Sequence, residues 1–362
     1  MSQKIYNTSL ILLLIYLITG IFLSLNAGIS HDEYHEQLNW EINLKAIKNF
    51  YQTGYYKDLL EYKDRYHGIG FNFLSQPFQY LIKDFLLSYL DINEYGSILI
   101  AKHPVIFILF FISSLFFYKI CIIFFNNKNF ALISLFIYLL YPYFLGHSFI
   151  NPKDIPFLSF WVISTYVLCK ILKKLYKEEP VPIKYIVYIS ISTSFLISIR
   201  IVGFLILLQF LIFIITFNEI KNKSFFNLIK NNIKNLLILL FTLVLFLYLL
   251  NPIFWHDPKE IVNSLKWMSK YQQDVSTLTL GEYMKSLNLP ASYYFIWLFF
   301  KLPILIILGF FIFPFLEKKF IKNNLNKILT YSLIFTCLII LFLFILFDVA
   351  IYNEIRHVMF LI

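Results

Sequence analysis

"TSLILLLIYLITGIFLSLNAGISHDEYHE", residues 8–36, decides how the rest of the chain is read. Residues 8–26 carry no charge, and then "HDEYHE" sets two histidines and three carboxylates into positions 31–36. About 20 apolar residues in a helix cross a bilayer, because a helix pairs its own backbone groups where no water can. The run lacks a small-residue cleavage site, so it reads as an anchor and not as a removed signal peptide. The chain therefore enters a membrane and meets an acidic cluster where it leaves.

Composition extends that reading to the whole chain. Of 362 residues 59% are hydrophobic and only 14% charged, and the mean hydropathy is +0.70. A soluble domain would be about half apolar and a quarter charged. The net charge of +10 would suggest nucleic acid in a soluble protein. Here the lysines lie in short loops between apolar runs, where positive charge sets orientation. The three cysteines, Cys121, Cys169 and Cys337, form no CxxC pair, so neither a disulfide framework nor a cysteine zinc site is indicated.

The expected fold is an all-α integral membrane protein, a single polytopic domain over 1–362. About nine spans are expected, near 8–26, 104–125, 130–146, 155–172, 185–199, 201–217, 235–252, 291–314 and 328–347. The fifth and sixth are parted only by Arg200 and its neighbours, so they form either a tight re-entrant hairpin or one longer bent element. Three Lys-rich loops, 170–184, 218–235 and 316–327, belong in the cytoplasm by the positive-inside rule. With the N-terminus inside, two long segments face outward, about 27–103 and 253–290, with Asn39 and Gln273 as outward label positions and Lys174 and Lys223 as inward ones. The first long loop carries "LNWEINLKAIKNFYQTGYY" and "LSQPFQYLIKDFLLSYLDI", whose helical spacing predicts amphipathic helices at the interface. The final "RHVMFLI" starts a new apolar run, so further C-terminal spans are expected beyond it.

Four polar clusters share the outer side. "HDEYH" is H-x-x-x-H, close in pattern to the zincin H-E-x-x-H, in which two histidines bind zinc and the Glu is the base. Position two here is Asp32, and a one-residue shift turns a helical side chain by about 100°, so Glu33 does not replace the zincin Glu. A solvated helix start and an acidic catalytic pair above the bilayer are the other readings. "GHSFINPKDIPF" (146–157) holds His147, Asn151, Lys153 and Asp154 in a turn set by Pro152 and Pro156. Arg200 stands at the boundary of two spans, where it either snorkels or clamps a phosphate. "YNEIRH" (352–357) returns Glu354, Arg356 and His357 to the same face, and "NPIFWHDPKE" with "LNLPASYYFIWLFFKLP" brackets the second outer loop.

In this order and sidedness the motifs "HDEYH", "GHSFINPKDIPF", "IRIVG", "NPIFW", "LPASYYFIWLFFKLP" and "EIRH" resemble a GT-C membrane glycosyltransferase. The likeness is to the branch of protein O-mannosyltransferases and bacterial aminoarabinose lipid A transferases, and it covers nearly the whole chain. The resemblance implies a GT-C-like multi-span bundle and an inverting transfer of a sugar from a polyprenyl-phosphate donor. The acceptor would be a protein, lipid or polysaccharide at the outer face, which in a bacterium is the periplasmic side of the inner membrane. It implies Asp32 as catalytic base, Glu33 as its acidic partner and Asp154 as the second-loop acid. Lys153, Arg200, Arg356, His357 and His147 become substrate-binding candidates. No cofactor is expected, a divalent metal is left open, and nucleic acid is not a partner. The rivals are a secondary transporter, which places ionisable groups at the bilayer midplane, and a membrane zinc metalloprotease.

Overall fold

The computed structural model describes residues 3–89, 92–270, 275–321, 323–349, 351 and 353–362; Gln273 lies outside them. The chain is helical almost throughout, as an all-α multi-pass membrane protein must be. Among the described residues six helices are long and apolar enough to cross a membrane, or up to eight if two bent pairs each count as one span.

Helix α1 (Gln3–Leu25) is apolar on all sides and largely exposed, as a lipid-facing span should be. Four helices then build the first long loop: α2 (His31–Thr53), α3 (Lys57–Glu61), α4 (Gly70–Tyr89) and α5 (Glu94–Ile100). Glu33 folds back to accept the Ser30 amide at 2.6 Å, which starts α2, and Gly54 in the left-handed region (φ 70°) stops it. The two expected amphipathic helices are α2 and α4.

The bundle follows with α6 (His103–Phe125), α7 (Lys128–Leu140), α8 (Pro142–Ile150), α9 (Asp154–Tyr176), α10 (Ile183–Ile199) and α11 (Leu205–Lys221). A short α12 (Phe225–Asn231) leads to α13 (Ile233–Leu250). After α14 (Glu260–Lys270) come α15 (Ser292–Lys301), α16 (Ile304–Phe320) and α17 (Asn324–Leu346). α9 is the centre: 78% of its apolar window is buried, against 17–50% for the other five single spans. It packs on α6 and α10, and α10 packs on α13. α10 is rich in Ser and Thr, which let helices approach closely. Ser190 and Ser194 donate to the carbonyls of Leu239 and Leu243 on α13, and Ser164 of α9 donates to Ser192.

Two expected spans need correction, and an open choice is decided. The stretch 291–314 is not straight, because α15 and α16 meet at 111° around Leu302 and Pro303. Proline lacks the amide that would continue the helix. The stretch 130–146 bends by 56° at Tyr141–Pro142 for the same reason. The fifth and sixth spans are two separate helices. Arg200 between them is extended (φ −145°, ψ 132°), and a 3₁₀ turn, Ile201–Phe204, follows. Gly203 permits that reversal, since a Cβ there would stand 2.7 Å from the Ile197 amide nitrogen. With 17 residues, α10 is about 25 Å long, short of a ~30 Å hydrocarbon core.

Loops sort to two ends. Lys223 pairs with Glu178 at 2.7 Å, and Asn326 donates to the Phe124 carbonyl at 2.7 Å, so the Lys-rich loops gather at one end. The two long segments expected outside gather at the other, where Phe50 meets Trp255 and Tyr66 bonds Glu260 at 2.5 Å. One feature departs from an all-helical expectation. Strand β1 (Ser276–Thr279) pairs antiparallel with β2 (Glu282–Lys285). Leu280 and Gly281, both at positive φ, make the two-residue turn.

Candidate functional site

The site is assembled at the N-terminal end of α9. Asn151 precedes that helix, and its Oδ1 accepts the amides of Lys153 and Asp154 at 3.1 and 2.8 Å. Its Nδ2 donates to Asp154 Oδ2 at 2.9 Å. Asp154 is thus locked at a helix N-terminus, where a negative charge is favoured. Two arginines reach it: Arg200 Nη2 stands 2.5 Å from Oδ1 and Arg356 Nε 3.1 Å from Oδ2. Arg356 Nη1 then extends to Asp32 Oδ2 at 2.6 Å. The chain Asp32–Arg356–Asp154–Arg200 joins four segments of the sequence in one line of alternating charge.

The two aspartates differ in access. The Asp154 side chain is 4% exposed and saturated by two arginines and an amide, whereas Asp32 is 45% exposed with one arginine. Only Asp32 is open to take a proton from an incoming group. Asp154 is built to orient cations.

One helix face explains what surrounds Asp32. On α2, Asp32, Glu36 and Asn39 share a stripe with His35 at helical spacing. Glu36 accepts from Lys153 Nζ at 2.5 Å, and Asn39 Oδ1 accepts the Tyr62 hydroxyl at 2.5 Å. The next stripe, Glu33 and Gln37, faces inward. Glu33 Oε2 lies 2.7 Å from His103 Nε2, whose other nitrogen donates to the Ser24 carbonyl at 3.0 Å. Gln37 accepts from the buried Lys102 at 3.3 Å. The 100° step per residue that separates Glu33 from a zincin position also separates it from Asp32. The structure does not bring Glu33, the expected acidic partner, to Asp32. Glu33 is 1% exposed and holds the entry of α6.

Arg356 is placed by the last described segment. Asn353 and Glu354 both adopt positive φ (54° and 66°), a costly backbone for non-glycine residues, with only Ile355 between them and Arg356. Tyr293, fully buried, accepts the Glu354 amide at 3.1 Å, and Lys301 Nζ pairs with the Glu354 carboxylate at 2.6 Å. Tyr294 donates to the Val349 carbonyl at 2.8 Å. The aromatic motif "PASYYFIW" therefore anchors the arginine in addition to forming an interfacial belt. His357 keeps part of its surface accessible, yet the packing around its ring pushes its basicity down to about 3, by desolvation first and then by the Arg200 charge. It is a neutral polar group at pH 7 and not a cation. His147 contacts Asn151 Nδ2 at 3.2 Å and lines a cleft of about 430 Å³ with Thr277, Trp297, Glu354 and Arg356.

The first outer loop is seated by small residues. A Cβ on Gly68 would lie 2.3 Å from the Ser198 carbonyl oxygen, and one on Gly70 2.7 Å from Ser198 Cβ. That contact braces the end of α10 just before Arg200.

All eight candidates from the sequence lie at one end of the bundle, and seven line or abut the ion-pair cluster; Glu33 turns away. Sequence reasoning gave no role to Glu36, whose signal was its i+4 spacing from Asp32. It also missed Lys102 and His103, two adjacent polar side chains at the head of an apolar run.

Among known proteins, no family model, no curated protein and no solved structure matches the chain.

Proposed function

We propose that the chain is an inverting glycosyltransferase that moves a sugar from a polyprenyl-phosphate donor to an acceptor hydroxyl at the outer membrane face. The observation that carries this is Arg356, which bridges an exposed Asp32 to a buried Asp154 that also holds Arg200. The order of the sequence motifs supports it, and so does the position of the cluster at span ends, where a transporter would need it at mid-membrane.

The reaction needs few parts. A lipid phosphate is already a stable leaving group, so cations must hold it and a carboxylate must take the acceptor proton. Arg200, Arg356 and Lys153 supply the cations. Each rests against a carboxylate, so the donor phosphate competes with Asp154, Asp32 and Glu36 for them. A phosphate that draws Arg356 away from Asp32 leaves that carboxylate free to act as base. The acceptor oxygen then bonds to the anomeric carbon as its proton passes to Asp32. The bond from that carbon to the phosphate oxygen breaks, and attack from the face opposite the phosphate inverts the centre. The cleft beside Trp297 and Thr277 is the approach for the acceptor.

In a bacterial host this places the chain in the inner membrane with the site facing the periplasm. The test is release of polyprenyl phosphate by the purified protein from a panel of polyprenyl-phosphate hexoses and pentoses, with mass spectrometry of glycolipids and glycoproteins from cells with and without the gene. Release that depends on Asp32 supports the reading. Uptake of solute into proteoliposomes with no release from any donor overturns it in favour of transport.

A further inference from the structure

A second group of side chains converges beside the ion-pair cluster, on the wall of the first outer loop. His35 comes from the outward stripe of α2. Asp64 and His67 come from the turn between α3 and α4. His35 Nε2 lies 4.0 Å from Asp64 Oδ2, and His67 Nδ1 lies 3.7 Å from Asp64 Oδ1. All three donor atoms fall within 4.8 Å of one another. The two imidazole rings meet edge to face at 5.3 Å and 90°. Trp267 lies on His67 at 5.5 Å and walls that side.

These separations are too long for direct hydrogen bonds, yet the three donors point at one another. Donors on a tetrahedral zinc stand about 3.4 Å apart at bond lengths of roughly 2.0–2.2 Å. With all three donors within 4.8 Å, the pairs must close by up to about 1.4 Å to reach that spacing, within the reach of side-chain rotation. Lys153 faces His67, but its charge is engaged by Glu36. His31, one turn back on α2, is exposed and outside the group.

We propose that His35, Asp64 and His67 bind one divalent transition-metal ion of the zinc class. Two imidazoles and one carboxylate suit zinc, whereas magnesium and calcium require oxygen donors. Three protein ligands leave the fourth tetrahedral position to water. The ion ties α2 to the turn that carries Gly68, and so steadies the helix face that presents Asp32 and Glu36. This differs from the H-x-x-x-H reading, which pairs His35 with His31.

The test uses the full chain in detergent, stripped with chelator and titrated with zinc against a competing chromophoric chelator. Wild type and His31→Ala are expected to bind one equivalent. His35→Ala and Asp64→Asn are expected to bind at least about 100-fold more weakly, more than the ~10–100-fold seen on removing an outer-shell partner. Cobalt should give tetrahedral visible bands in wild type that His35→Ala lacks. Zinc should raise the melting temperature of wild type but not of His35→Ala, a half-exposed position whose loss leaves the fold intact. Absence of zinc binding by wild type, or equal affinity in His35→Ala, overturns the site. Loss in His31→Ala equal to that in His35→Ala also overturns it. None of these readouts involves sugar transfer, so the metal site and the transferase reading stand or fall separately.

Discussion

Arg356 Nη1 and Asp32 Oδ2 stand 2.6 Å apart although 324 residues separate them in the chain. The same guanidinium contacts Asp154 at 3.1 Å. A single side chain thus links an open carboxylate with a buried one, and the first predictions follow from that asymmetry.

Asp32→Asn keeps the size and most of the hydrogen bonding but removes the proton acceptor. Turnover is expected to fall by about 10²–10⁴-fold, the usual worth of a general base, while donor binding and melting temperature are retained. Release of polyprenyl phosphate under single-turnover conditions reads the first, and a detergent melt the second. Turnover within a few-fold of wild type would remove Asp32 from the role of base.

Glu33→Ala should behave in the opposite way. It leaves His103 buried without its carboxylate and opens the cap at Ser30. Breaking a buried pair on one side costs about 3–5 kcal/mol, so this variant is expected to melt well below Asp32→Ala. Equal melting temperatures would show that Glu33 is not a structural group.

Gly68→Ala tests the brace behind Arg200. Its Cβ would meet the Ser198 carbonyl at 2.3 Å, whereas Gly28 has nothing within 4 Å. Gly68→Ala is expected to lower both stability and transfer, and Gly28→Ala to change neither. Wild-type behaviour of Gly68→Ala would mean that the loop does not seat on α10 as described.

Acid sensitivity should carry a signature of His357. Its folded basicity lies near 3 against 6.5 for an ordinary histidine, so the folded state holds it neutral while the unfolded chain takes up a proton first. Its contribution to stability is full above about pH 6.5 and is lost progressively as pH falls toward 3. His357→Asn should therefore flatten the fall in melting temperature over that window. An unchanged slope would place the histidine in contact with water.

Topology is checked by outward labelling of introduced cysteines. Tyr51 and Tyr283 are both 80% exposed on the outer segments and should label, while Lys174→Cys and Lys223→Cys should not. Asn39 is a poor probe because it is buried beneath Tyr62. Labelling of the lysine positions alone would invert the orientation and put the site in the cytoplasm.

The sequence by itself determined that this is a multi-pass helical membrane protein, which polar residues share one side, and that α2 and α4 are amphipathic. Apolar run length and lysine-loop placement are properties of contiguous residues, so no tertiary information is needed to read them. Prolines 142 and 303 were visible too, but whether each bends a span or ends one depends on what packs around it. Only the tertiary structure decided that Glu33 leaves Asp32 for His103, that Asp154 is saturated while Asp32 is open, and that His35 meets Asp64 and His67. Neighbours in sequence on a helix point 100° apart. Which direction faces the bundle is set by partners tens to hundreds of residues away, and no local pattern in positions 31–36 encodes them.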